Sequence, residues 1–134
     1  MLATDKIAKA FVPGNHASTF GGNPLATAAA TAVIQTILNE GVLENCWKTG
    51  EYFLSQLKKL QQKYPIIRDV RGRGLMLAAQ LDIEAGDIVN ECLRKGLLIN
   101  STGGKTLRFV PPLTITNRDV DEALQILEEV MKEK

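Results

Sequence analysis

"IIRDVRGRGLMLAAQLD", Ile66 to Asp82, is where the chain changes character. Upstream of it, apolar residues recur at three- and four-residue spacing. Here β-branched residues, few helix caps and a Gly-x-Gly at Gly72 and Gly74 take over. Such a stretch reads as a strand entered through a bend that the glycines relax. Helices followed by a strand exclude a helical bundle and make the chain an α/β protein.

Before this point, "LATAAATAVIQTIL" (25–38) is alanine-rich with Leu, Val and Ile at helical spacing. Pro24 suits the first turn of that helix, with Asn23 as its cap. Gly41 separates it from a second helix, in which Val42, Leu43, Trp47, Phe53, Leu54, Leu57 and Leu60 fall roughly on one face until Pro65. Gly50 lies inside this helix, where a glycine costs about 1 kcal/mol against alanine.

After it, "AGDIVNECLRKG" (85–96) is a short amphipathic helix closed by Gly96, and "GLLINS" (96–101) a buried strand. "STGGKTLRFVPP" (101–112) is a glycine-containing turn into a further strand that Pro111 and Pro112 end. "TNRDVDEALQILEEVMKEK" (116–134) is a last helix, capped at Thr116 or Asn117, with Val120, Leu124, Leu127 and Val130 or Met131 on one stripe. The expected order is two helices, strand, helix, strand, strand, helix, giving a small sheet covered mainly on one side. The first 23 residues fit this poorly, with a short helical stretch around Asp5 to Ala10 and then loop. A connection of that length is functional or belongs to something larger.

The 134 residues, 45% apolar with a formal charge of +1, suffice for one modest core. They carry no basic field for nucleic acid. The apolar runs are too short or interrupted to span a bilayer, and "MLATDKIAKAF" (1–11) lacks the apolar core of a signal peptide, so a soluble cytoplasmic protein is expected. Cys46 and Cys92 stand far apart with only His16 as a possible companion, which indicates reduced thiols, no disulfide framework and no metal site.

Four clusters are candidates for chemistry. Ser18, Thr19, Gly21 and Gly22 precede a helix start, an arrangement suited to a phosphate, although the spacing is not that of a P-loop and by itself favours an ordinary glycine turn with capping hydroxyls. Arg108 alternates with Leu107 and Phe109, so its guanidinium faces away from the core, either as a carboxylate clamp or as a solvated side chain. Arg68, Arg71 and Arg73 are expected to pair with carboxylates on neighbouring elements. His16 has no orienting partner in sequence and is expected to be hydrogen-bonded and structural.

Taken together, "GNHASTFGGNPLATAAATAVI" (14–34), "VRGRGLMLAAQL" (70–81), "GLLINSTGGKTLRFVPPLTIT" (96–116) and the closing helix resemble, in the same order, the C-terminal part of class III pyridoxal-phosphate aminotransferases. The nearest likeness is to members acting on acetylornithine, ornithine and succinylornithine. The resemblance implies an α/β (α+β-like) small C-terminal domain of a fold-type I enzyme, a short sheet covered by helices. It implies residues 1–23 as a remnant of the large cofactor-binding domain and 24–134 as the small domain. Thr19, with Ser18, would contact the phosphate of pyridoxal phosphate bound mainly by the other subunit of a homodimer, and Arg108 would recognise a substrate carboxylate. The cofactor-bearing Lys of the family lies upstream; Lys6 and Lys9 do not match it, so no catalytic residue is assigned. The implied whole enzyme moves an amino group from N-acetylornithine to 2-oxoglutarate in arginine biosynthesis. This segment, without the large domain, is expected to be inactive and not to bind the cofactor stably. Another class III enzyme (ornithine, succinylornithine or 4-aminobutyrate) and a non-catalytic binding module of the same fold remain as alternatives.

Overall fold

Elements form in the order α1 (Asp5–Ala8), α2 (Pro24–Asn39), α3 (Val42–Lys63), β1 (Ile67–Arg73), β2 (Met76–Leu81), α4 (Gly86–Arg94), β3 (Asn100–Thr102), β4 (Thr106–Phe109) and α5 (Asn117–Met131). The structure, a computed structural model, describes residues 3–133; Met1, Leu2 and Lys134, the ends of the opening and closing stretches, lie outside it. The chain divides into two compact units, one running to Gln35 and the other from Thr36 onward.

In the first unit, short side chains organise the loop. Asn15 Oδ1 accepts from the Val12 N–H at 2.8 Å, and Ser18 Oγ accepts from the Gly21 N–H at 2.9 Å. Asn23 Oδ1 caps α2 by accepting from the Ala26 N–H at 3.0 Å, as its position before Pro24 predicts. No residue of α2 is buried, so the apolar side chains of this helix are all at least partly accessible.

The second unit is built on a four-stranded, wholly antiparallel sheet in the order β1-β2-β4-β3. The stretch 66–82, read as one strand, is a hairpin. Arg73 pairs with Met76 across a two-residue loop, and Gly74 takes φ 54° there, a left-handed conformation that glycine adopts without steric cost. The class of fold stands, with one more strand than expected.

"GLLINS" (96–101) also departs from the expected buried strand. Residues 97–99 are not in a strand, and β3 is a three-residue edge strand whose residues are all exposed. Leu97 and Ile99 pack on the core from the side while Leu98 is 83% exposed. Nothing pairs with the far side of β3 among the described elements, so the run cannot be buried on both faces.

Helices α3, α4 and α5 supply the apolar layer against the sheet. Leu57, Ile88 and Leu127 from the helices and Ala79 and Leu107 from the strands are fully buried together. Phe53 meets Phe109 edge-on, with centroids 5.3 Å apart and planes at 63°. Leu43 and Trp47, expected on the buried face of α3, are instead 52% and 49% exposed. They lie in the first turns of α3, and Trp47 serves as a platform for Arg73, whose guanidinium carbon lies 5.0 Å from the ring centroid. Gly50 is explained by a close approach. A Cβ there would lie 2.3 Å from the carbonyl oxygen of Gly74, so only glycine lets α3 rest on the hairpin turn.

The loop after β4 is tied down from α3. Asn45 Nδ2 donates to the carbonyls of Leu113 at 2.8 Å and Ile115 at 3.0 Å. Thr116 then opens α5 with a capping box: its hydroxyl accepts from the Asp119 N–H, and the Asp119 carboxylate accepts from the Thr116 N–H at 2.7 Å. Both Val130 and Met131 are buried.

Candidate functional site

The sheet face turned away from these helices carries polar side chains. Antiparallel pairing sets Arg71, Ala78, Arg108 and Asn100 in one row across the four strands. Leu107 and Phe109 are buried and Arg108 is exposed between them, as the alternation along β4 requires.

What separates Arg108 from the other arginines is its lack of a partner. Arg68 pairs with Asp82 at 2.5 Å, Arg71 with Asp69 at 2.5 Å and with Gln80 at 3.2 Å, and Arg94 with Glu91. Arg118 lies in the field of Asp119. The expected carboxylate pairing thus holds for Arg68 and Arg71 but not for Arg73, which stacks on Trp47 instead. Among the described residues, no carboxylate or carbonyl accepts from Arg108.

Beside the Arg108 guanidinium lies a concavity of about 360 Å³, lined by Leu98, Ile99, Asn100, Arg108 and Val110. It adjoins an apolar groove of about 410 Å³ that Phe53, Leu98, Val110, Pro111 and Ile115 help to line. The acid on that groove, Asp119, already accepts from the Thr116 backbone and hydroxyl, which hold its carboxyl below the usual range. A planar two-pronged cation at the mouth of an apolar channel is suited to an organic carboxylate: the fork takes the oxygens and the channel takes the carbon chain.

The second candidate cluster lies in the first unit. Ser18 Oγ accepts one bond from the Gly21 N–H, which leaves its own proton free to donate. Thr19 is exposed and its hydroxyl has no partner among the described residues. Gly22 has φ 75°, the first turn of α2 carries no acidic residue, and the helix dipole favours an anion there. Yet no Lys or Arg occurs between Lys9 and Lys48. The loop can add hydrogen bonds to a phosphate whose charge is neutralised elsewhere. His16, expected to be hydrogen-bonded, is exposed and has no hydrogen bond among the described residues.

Cys92 is fully buried, and burial pushes its thiol up to about 11, which makes it a packing residue and not a nucleophile. Asn100 is the site residue that sequence reasoning missed. Its signal is faint: a polar side chain at the end of an apolar run, whose partner strand is known only once the turn at Gly103 and Gly104 is seen to fold β3 back onto β4.

An antiparallel sheet under three helices is a fold shared with solved aminotransferase chains. The chain belongs to the aminotransferase class-III family, whose model matches residues 1–131, and this is a family of pyridoxal phosphate-dependent transferases. It is 52% identical over 124 residues to the acetylornithine aminotransferase of Caldanaerobacter subterraneus subsp. tengcongensis, covering 92% of this chain and 32% of that protein. The corresponding figures for the acetylornithine aminotransferase of Aquifex aeolicus are 45% over 131 residues, 98% and 33%. Among solved structures, the acetylornithine aminotransferase of Elizabethkingia anophelis superposes with a TM-score of 0.84 at 36% identity, covering 99% of this chain and 34% of that one. The ornithine delta-aminotransferase of Plasmodium falciparum gives 0.84 and 36%, over 98% and 35%. The chain therefore spans about a third of the length of the relatives it matches. No helix among the described residues is long and apolar enough to cross a membrane.

Proposed function

We propose that this chain is the C-terminal segment of an acetylornithine aminotransferase, with residues 1–23 belonging to the large domain and 24–134 forming the small domain. The whole enzyme, on this reading a cytoplasmic homodimer, transfers the amino group of N-acetylornithine to 2-oxoglutarate in arginine biosynthesis. The observation that carries the reading is the unpartnered guanidinium of Arg108 beside an apolar groove. Each of the two substrates bears a carboxylate for it, and a guanidinium fork fixes orientation as well as charge.

Pyridoxal phosphate, when bound, would supply the electron sink that makes a hydrogen on the amine-bearing side-chain carbon of the donor acidic. The hydroxyls of Ser18 and Thr19 donate to the cofactor phosphate across the dimer interface, as the free donors and the helix start of this loop allow. Arg108 binds and orients a substrate carboxylate, while Leu98, Val110 and Ile115 keep water from the carbon chain.

N-acetylornithine, which differs from ornithine in the acetyl group on its α-amino nitrogen, is put first because the relatives similar in sequence include acetylornithine aminotransferases at 52% and 45% identity. Ornithine stays as the second reading, since an ornithine aminotransferase matches as well in structure as an acetylornithine one. Turnover of N-acetylornithine, ornithine and 4-aminobutyrate by the enzyme carrying this segment, with 2-oxoglutarate as acceptor, decides between them. The reading requires the highest kcat/KM for N-acetylornithine. A preference for ornithine or 4-aminobutyrate refutes it.

A further inference from the structure

Asn100 stands directly opposite Arg108 in the β3–β4 ladder. Residues opposed in an antiparallel pair share a face and have Cβ atoms about 5 Å apart. Both line the same concavity of about 360 Å³. On the other side of Arg108 the register places Ala78, which offers no polar group. The next residue in the row, Arg71, is committed to Asp69 and Gln80. Among the described residues, neither the Asn100 carboxamide nor the Arg108 guanidinium has a hydrogen-bond partner.

We propose that Asn100 is a substrate-binding residue, its carboxamide N–H donating to the same carboxylate that Arg108 grips. The inference rests on the reading of Arg108 as a carboxylate clamp. A carboxylate offers about four lone-pair positions and a guanidinium fork fills two of them. The Asn100 Nδ2–H group fills a third from the β3 side, and Ala78 leaves the β2 side without a competing contact. Bonds from both strands fix the rotation of the carboxylate as well as its position. The residue type matters for a second reason: a neutral donor adds a bond without adding an acid. An Asp in its place would pair with Arg108 and repel the substrate.

The test is steady-state kinetics of the holoenzyme carrying this segment, with 2-oxoglutarate varied. Asn100→Ala is expected to raise KM about 10-fold, the loss of one hydrogen bond to a charged group, with kcat at saturation and melting temperature near wild type. Asn100→Asp is expected to raise KM further, and Asn100→Ser, which keeps a shorter donor, to fall between wild type and alanine. Arg108→Lys, which keeps charge but loses the fork, serves as the reference and raises KM by at least as much as Asn100→Ala. If Arg108→Lys raises KM while Asn100→Ala and Asn100→Ser leave it at the wild-type value, the role of Asn100 is overturned and that of Arg108 stands. A defect in Asn100→Asp alone also overturns it, because repulsion needs no native contact. If Arg108→Lys leaves KM unchanged, the clamp falls, and the inference with it.

Discussion

Replacing Gly50 by alanine sets two calculable effects against each other. Gly50 lies in the interior of α3, where alanine is better by about 1 kcal/mol on helix propensity alone. The added Cβ, however, would stand 2.3 Å from the Gly74 carbonyl oxygen, 2.4 Å from its carbon and 2.7 Å from its Cα. These are backbone atoms of a tight turn and cannot rotate aside. Normal contact requires α3 or the β1–β2 turn to retreat by about 1 Å, which loosens the packing around Phe53 and Leu77. Overpacking of this kind costs roughly 1–3 kcal/mol, and with no flexible neighbour to yield the upper half of that range applies. Subtracting the helix gain leaves a net loss of about 1–2 kcal/mol, or roughly 5–15 °C in melting temperature for a unit of this size. Gly86→Ala is the control, because that glycine opens α4 with nothing within 4 Å of the added Cβ; it should be neutral or slightly stabilising. Thermal melts followed by circular dichroism read both. A Gly50→Ala protein melting at or above wild type would show that α3 does not rest on the hairpin turn and would refute the reasoning.

Other consequences are as direct. Leu127→Ala removes a fully buried side chain from the centre of the core and should cost about 2–5 kcal/mol in urea unfolding; less than 1 kcal/mol would mean the α5 stripe is not packed. Cys92, buried with its thiol pushed up to about 11, should stay silent to a thiol reagent at pH 8 until urea is added, while half-buried Cys46 reacts in the folded protein. Two thiols reacting equally fast before unfolding would contradict the packing of α4. The Thr116 backbone and hydroxyl hold the Asp119 carboxyl below its ordinary 3.8, so the ionised form stabilises the fold above that pH and the contribution is lost as pH falls through the lowered value. Thr116→Ala should therefore lower the urea midpoint near neutrality, with the difference from wild type shrinking in acid; a pH-independent difference would rule the capping box out as its cause.

The helices were legible because their signals are local. Asn23 before Pro24, Gly41 between α2 and α3, Gly96 after α4 and Thr116 three residues before Asp119 each do what their side chain or φ freedom dictates, with no reference to the rest of the chain. The hairpin at Gly74 was not legible. Its second loop residue, Leu75, is apolar and buried, so the turn lacks the polar composition that marks most two-residue loops. Gly50 looked like a weak point in a helix because the atom it makes room for comes from a turn distant in sequence. The outward direction of Arg108 follows from alternation, but its isolation does not, since five other arginines find partners that sequence spacing only partly suggests. Asn100 was hidden for the same reason: which residue faces Arg108 depends on the register of β3 with β4.

Crystals of the holoenzyme carrying this segment, soaked with the unreactive dicarboxylate glutarate, test the central claim most directly. The account predicts one glutarate carboxylate within hydrogen-bond distance of both guanidinium prongs of Arg108, with the carbon chain directed along the groove beside Leu98 and Val110. Glutarate bound in the active site with neither carboxylate touching Arg108 would contradict it.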